Sequence, residues 1–324
     1  MTQDTDTAAE GTQAHECTAL VTGGTDGIGK EVARGLAAVG TRVFIVGRDP
    51  EKGARTADEL RSTTSNGDVH FIRADLSLMR EAGRLADEVR RRVGALHYLV
   101  HSAGILRGRR VLTAEGVESN FAVNYLSRFV LTTRLLASLR AGAEPRHASR
   151  IVVIGGGATG GTIHFDDVNL SRNFTTVRAI LQYQQANDML TLELARQLAM
   201  AEGAPEVSIT CLKLGPVKTN IRREFPWWMR VLVPLIADPL VTLTPHQAAA
   251  SVLRLLLAPE LEGVTGALFK QIRKFHQIVP TGRTRDPQLA RRLWELSERL
   301  AEPRTTSFVS PYSLAGCVAS FVPQ

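Results

Sequence analysis

The chain has 324 residues, 44% of them hydrophobic and 22% charged, with a formal net charge of +7. That balance excludes a fibrous or wholly disordered protein and suffices for a sizeable core. The positive charge is scattered in short runs at the ends of expected helices, such as Arg90, Arg91 and Arg92 or Arg109 and Arg110, and this argues against a nucleic-acid partner, which needs clustering on one face.

In chain order, residues 1–15 are polar and acidic, lack the basic start and apolar middle of a signal peptide, and read as a disordered tail. Residues 16–302 read as one domain. Within it, short β-rich apolar runs (CTALVT, RVFIVG, VHFIRA, LHYLVH, RIVVIG, VSITCLKL, GALFK) alternate with amphipathic stretches near 28–40, 50–64, 77–93, 113–140, 178–202 and 244–258. Alternation of this kind predicts an α/β fold, a doubly wound parallel sheet of seven strands with helices on both faces. After the sixth strand, residues 220–243 form an apolar insertion with Phe225, Trp227 and Trp228, broken by prolines and expected to be a lid over a hydrophobic ligand. A helix at 286–301 precedes a tail, 303–324, to which no role is assigned. No run approaches the roughly 20 apolar residues of a spanning helix. Cys17, Cys211 and Cys317 lie far apart without metal-ligand spacing, so no metal is expected and a reducing cytoplasm fits best.

The first strand runs into Thr22-Gly23-Gly24-Thr25-Asp26-Gly27-Ile28-Gly29, and a helix follows at once. Glycines there let the backbone turn sharply and approach a pyrophosphate, whose charge rests on the helix N-terminus. The second strand ends in Arg48, where an acidic residue would grip a ribose 2′-hydroxyl; a guanidinium suits a 2′-phosphate instead. The expected cofactor is therefore NADP(H).

From here the chain resembles the short-chain dehydrogenases/reductases, in the branch of the retinol dehydrogenases and the WW-domain oxidoreductase. The resemblance spans 17–300 and is carried by TGGTDGIGK at 22–30, RADLS at 73–77, HSAG at 101–104, FAVNYLSRF at 121–129, IHFDD at 163–167, YQQANDMLTLELARQL at 183–198, LGPVKTN at 214–220 and PELEGVTGALF at 259–269. It implies that Asp75 and Leu76 flank the adenine, that Ala103 and Gly104 line the ribose, and that Thr219 reaches the pyrophosphate or carboxamide. It also implies a dimer or tetramer through the helices near 113–140 and 178–202. His101 stands where the family usually has Asn, and is read as a buried histidine satisfied by backbone hydrogen bonds.

The family works with an Asn, a Ser, a Tyr and a Lys. Asn124 and Tyr183 match two of them; Gly156, just after the fifth strand, replaces the Ser, and Asn187, four residues after Tyr183, replaces the Lys. Loss of the Lys leaves Tyr183 protonated at neutral pH, which handicaps alcohol oxidation more than carbonyl reduction. Loss of the Ser removes a donor to the developing oxyanion, for which Thr159 and Thr162 are the nearby hydroxyls. Three readings follow. The first is an NADP(H)-dependent oxidoreductase with an altered site, reducing a carbonyl or activated double bond in a bulky hydrophobic substrate that the widened Gly155–Gly157 loop admits. The second is a redox-neutral enzyme of secondary metabolism, performing a cyclisation, dehydration or isomerisation. The third is a non-catalytic nucleotide sensor.

Overall fold

Asp26, Asp49, Thr244 and Asp286 each accept a hydrogen bond from a first-turn backbone N–H of a helix, so four helix starts are written in the chain by the usual capping residues. A computed structural model of the chain describes residues 17–144, 147–200, 207–217, 242–280 and 282–302. The expected tails at 1–15 and 303–324, Thr219, and the expected lid up to residue 241 lie outside the described residues.

The strands are β1 (Thr18–Thr22), β2 (Arg42–Gly47), β3 (Val69–Arg73), β4 (Tyr98–His101), β5 (Ser149–Gly156), β6 (Val207–Leu214), β7 (Ala267–Gln271) and β8 (Phe275–Ile278). They form one sheet in the order β3-β2-β1-β4-β5-β6-β7-β8, parallel except for β8. Eight strands stand where seven were expected. The additional FHQI strand has no continuous apolar run, because its two middle residues are exposed at the sheet edge. The order reverses between β1 and β4, and the crevice at such a switch point is where doubly wound sheets take their ligands.

The helices are α1 (Gly27–Ala38), α2 (Pro50–Thr64), α3 (Met79–Arg92), α4 (Ser119–Phe121), α5 (Ser127–Ala141), α6 (Thr176–Ala199), α7 (Pro245–Leu257) and α8 (Pro287–Ala301). Leu36, Leu60 and Val252 carry α1, α2 and α7 onto one face of the sheet. Leu85, Leu131, Leu190 and Leu293 carry α3, α5, α6 and α8 onto the other. Full burial of such side chains contributes about 1.5–3 kcal/mol each and holds the layers together.

The helix expected from 113 begins only at Ser119. Residues 113–117 instead close a turn, with Val117 C=O accepting from Thr113 N–H at 2.8 Å and Gly116 at φ +77°, and the Glu118 carboxylate then caps Asn120 and Phe121. Arg109 and Arg110 therefore lie in a loop, where Arg110 donates to Asn169 C=O at 2.8 Å, and not at a helix end. Between α4 and α5 the chain makes a π-helical turn, Ala122–Leu126, which contains Asn124. Such turns insert one residue and re-aim side chains, and they gather at functional sites.

Candidate active site

At the nucleotide end the glycines are required by geometry. Gly23 has φ +67° and a Cβ there would lie 2.8 Å from Ala103 Cα; a Cβ at Gly29 would lie 2.4 Å from the Gly23 carbonyl oxygen. Gly27 has φ +51°, a left-handed conformation that other residues rarely adopt. Thr22 ties this loop to the neighbouring strand, its hydroxyl donating to Val100 C=O at 3.2 Å and accepting from Ser102 and Ala103 N–H at 3.1 and 3.2 Å. Asp26 caps α1 and pairs with Lys52 at 2.5 Å, and Ile28 packs into the core under α1. Thr25 sits against Gly47, where a Cβ would be 2.9 Å from its hydroxyl.

Arg48 is exposed just after β2, and its carbonyl accepts from Arg73 Nε at 3.3 Å, so the Arg73 guanidinium lies beside the Arg48 backbone. The Asp75 carboxylate turns back to accept from Ser77 N–H at 3.0 Å. Leu76 is buried in the core, which leaves its backbone rather than its side chain for a ligand. A Cβ at Gly104 would lie 2.9 Å from Asn124 Oδ1. This cradle of bare backbone before a helix N-terminus fits a dinucleotide pyrophosphate.

The catalytic end is built by α5, α6 and the last residues of β5. Asn124 is buried, with Nδ2 donating to the Ile105 and Asn120 carbonyls at 2.9 Å each and Oδ1 accepting from Ile105 N–H at 3.0 Å. Asn187 donates from Nδ2 to Asn124 C=O at 3.0 Å and to Tyr183 C=O at 2.9 Å. Its Oδ1 is buried with no hydrogen-bond partner among the described residues. An orphaned buried acceptor costs free energy until a donor reaches it, and a ribose hydroxyl has the right chemistry. Gly156 is the last residue of β5, paired with Leu214, rather than a loop residue beyond the strand.

Arg128 is the charged group that sequence reading passed over. It lies four residues beyond Asn124, is buried, and donates to Ile154 C=O at 2.8 Å and Ala103 C=O at 3.0 Å, while its Nε has no partner among the described residues. Burial lowers its pKa to about 10, which leaves it a cation at neutral pH. Burial pushes the Tyr183 hydroxyl up to about 12, with the Arg128 charge pulling it down and Glu118 adding to the rise. Tyr183 is thus held as an acid, and Arg128 acts on it where the side chain at 187 carries no charge.

His101 is corrected in one detail. Its Nε2 meets Thr132 Oγ1, a side chain, at 2.9 Å, and its Nδ1 has no partner among the described residues, so the expected backbone bonds are not made there. Burial, reinforced by Arg128, holds its pKa well below the ordinary value and keeps the ring neutral.

Lys213 and Asp188 also went unnoticed, although a lysine within the apolar strand VSITCLKL demands an anion. Lys213 is fully buried, pairs with Asp188 at 2.7 Å and donates to Ala158 C=O at 2.9 Å, fastening the glycine-rich turn after β5. Burial raises the Asp188 pKa and Lys213 opposes the rise. The nearby Cys211 thiol is pushed up to about 12 by burial and is inert. Of the two candidate hydroxyls, Thr159 is exposed and Thr162 accepts from Arg283 at 3.4 Å. Thr162 lines a cavity of about 610 Å³ with Gln185, Met189 and Arg178; neither Tyr183 nor Asn187 lines it.

The family model described as short chain dehydrogenase matches residues 17–164. The mouse (Mus musculus) polyprenol dehydrogenase is 32% identical over 283 residues, covering 87% of this chain and 83% of that one. The chain belongs to the short-chain dehydrogenase family. Human (Homo sapiens) retinol dehydrogenase 14 is 30% identical, covering 88% of this chain and 86% of that one. Among solved structures, a Pseudomonas aeruginosa RhlG/NADP active-site complex superposes with a TM-score of 0.63 at 28% identity, covering 78% of this chain and 94% of that chain. This short-chain dehydrogenase is accordingly of an oxidoreductase family. No helix among its described residues is long and apolar enough to cross a membrane.

Proposed function

We propose that this short-chain dehydrogenase binds NADP(H) and reduces a carbonyl in a bulky hydrophobic substrate, with Tyr183 as proton donor. The observation that carries the reading is the state of Tyr183, a hydroxyl raised to about 12 on the Asn124–Asn187 scaffold. Such a group stays protonated at neutral pH, so it holds a proton for a developing alkoxide and has no free base form to take one from an alcohol. The Gly23–Gly29 loop would hold the pyrophosphate, Arg48 the 2′-phosphate, and Asn187 Oδ1 a ribose hydroxyl. When bound, the reduced cofactor supplies the hydride.

Tyr183 donates its proton to the carbonyl oxygen as the hydride reaches carbon, so one hydride and one proton convert carbonyl to alcohol. Arg128 offsets the charge left on the phenolate, at a distance set by its own bonds to Ala103 and Ile154. The substrate class is supported by the curated relatives, whose names denote long apolar alcohols. The structural neighbour with NADP supports the cofactor. The test is calorimetric titration with NADPH and NADH, followed by transfer of deuterium from labelled NADPH to apolar aldehydes. Preferential NADPH binding with deuterium in the alcohol is the expected result; binding of neither nucleotide overturns the reading.

A further inference from the structure

We infer that Gln184 supplies the hydrogen bond to the substrate oxygen that Gly156 cannot. This rests on the reductase reading and deepens it by naming a second catalytic residue. Gly155 and Gly156 carry no side chains, and the space beside them is filled. A Cβ at Gly156 would lie 2.4 Å from Gln184 Nε2, and a Cβ at Gly155 would lie 3.0 Å from Gln184 Oε1. The β5 end is therefore not a widened opening, as the sequence suggested, but a slot holding one carboxamide. Its Nε2 donor occupies the place that a short hydroxyl side chain at 156 would take.

Three buried glutamines stand in this one turn of α6, and their bonding separates them. Gln182 accepts from His164 N–H at 3.0 Å and donates to Val168 C=O at 2.9 Å, and Gln185 pairs with Thr284 at 3.0 Å. Both are structural. Gln184 is 3% exposed, yet its amide makes no hydrogen bond with any described residue, nor is it among the fully enclosed unpaired atoms. The amide is thus held in place by packing while its donor stays unused and reachable, so a ligand can take it without breaking a bond within the protein. It follows Tyr183 directly in the chain, so donor and acid move on one rigid helix.

The experiment uses the full chain with NADPH and decanal as the probe, in the wild type, Gln184→Met, Gln184→Ala, Gly156→Ser/Gln184→Ala and Tyr183→Phe. The readouts are kcat, NADPH affinity, and the infrared carbonyl stretch of isotopically labelled decanal bound with NADP+, which needs no turnover. Gln184→Met is expected to lower kcat by about 10²–10³-fold with NADPH affinity unchanged, the range for one lost oxyanion donor, and to move the carbonyl stretch upward. Gly156→Ser/Gln184→Ala is expected to regain at least about tenfold over Gln184→Ala, because truncation makes room for the hydroxyl. If Tyr183→Phe alters rate and stretch while Gln184→Met alters neither, the role of Gln184 is overturned and the reductase reading stands. If Tyr183→Phe alters neither, or no bound carbonyl band forms, both fall.

Discussion

The nucleotide end and the catalytic end of the cleft lie on the same sheet, yet they were built under different constraints. Around Gly23, Gly27 and Gly29 the backbone itself is the proposed binding surface, and any side chain would strike neighbouring backbone within 3 Å or force an unfavourable φ. No distant substitution can compensate for that. Around Tyr183 the proposed working parts are side chains, and each missing group leaves a space or a charge deficit that another side chain can fill: Gln184 beside Gly156, and Arg128, whose charge acts on Tyr183. The contrast shows why the glycines stand in place at one end while the groups at the other are rearranged.

Four measurements break or sharpen that contrast. The largest effect is expected from Tyr183→Phe, which should lower kcat for reduction by about 10²–10⁴-fold while NADPH affinity stays within twofold of wild type, about the range for a lost general acid; an equal loss of affinity would mean that the two ends are not separable. Next, Lys213→Met leaves Asp188 buried without its cation and should destabilise the fold by about 3–5 kcal/mol in denaturant melts, whereas Lys213→Met/Asp188→Leu recovers most of it. Arg48→Ala should weaken NADPH binding about tenfold by calorimetry and leave NADH binding unchanged, the modest size reflecting an exposed site.

The smallest effect concerns pH. With the Tyr183 pKa raised to about 12, the acid form persists through neutral and mildly alkaline solution and is lost only as pH approaches that value. The reduction rate should therefore stay flat from about pH 7 to 10, while any alcohol oxidation rises over the same span. A reduction rate that falls near neutral pH would place the proton donor elsewhere. Restoring the usual groups directly is expected to fail at first: Gly156→Ser meets Gln184 Nε2, and Asn187→Lys loses the carboxamide bonds to Asn124 and Tyr183 and puts a cation at a buried position that carried no charge.

The strands, the order of alternation and the glycine loop were legible in the chain because each rests on local chemistry: runs of β-branched residues, capping side chains, and glycines between a strand and a helix. β8 and the late start of α4 were not, since an exposed edge strand lacks an apolar run and a turn closed by Thr113 and Val117 imitates helical spacing. The sequence by itself determined the family-like sheet, the glycine-rich turn after β1, and the absence of Ser and Lys from positions 156 and 187. What replaced them was decided only by tertiary structure. The pairing of Gln184 with Gly156 and the approach of Arg128 to Tyr183 depend on the register of α6 and α5 against β5, and such contacts between distant segments leave no periodic trace along the chain.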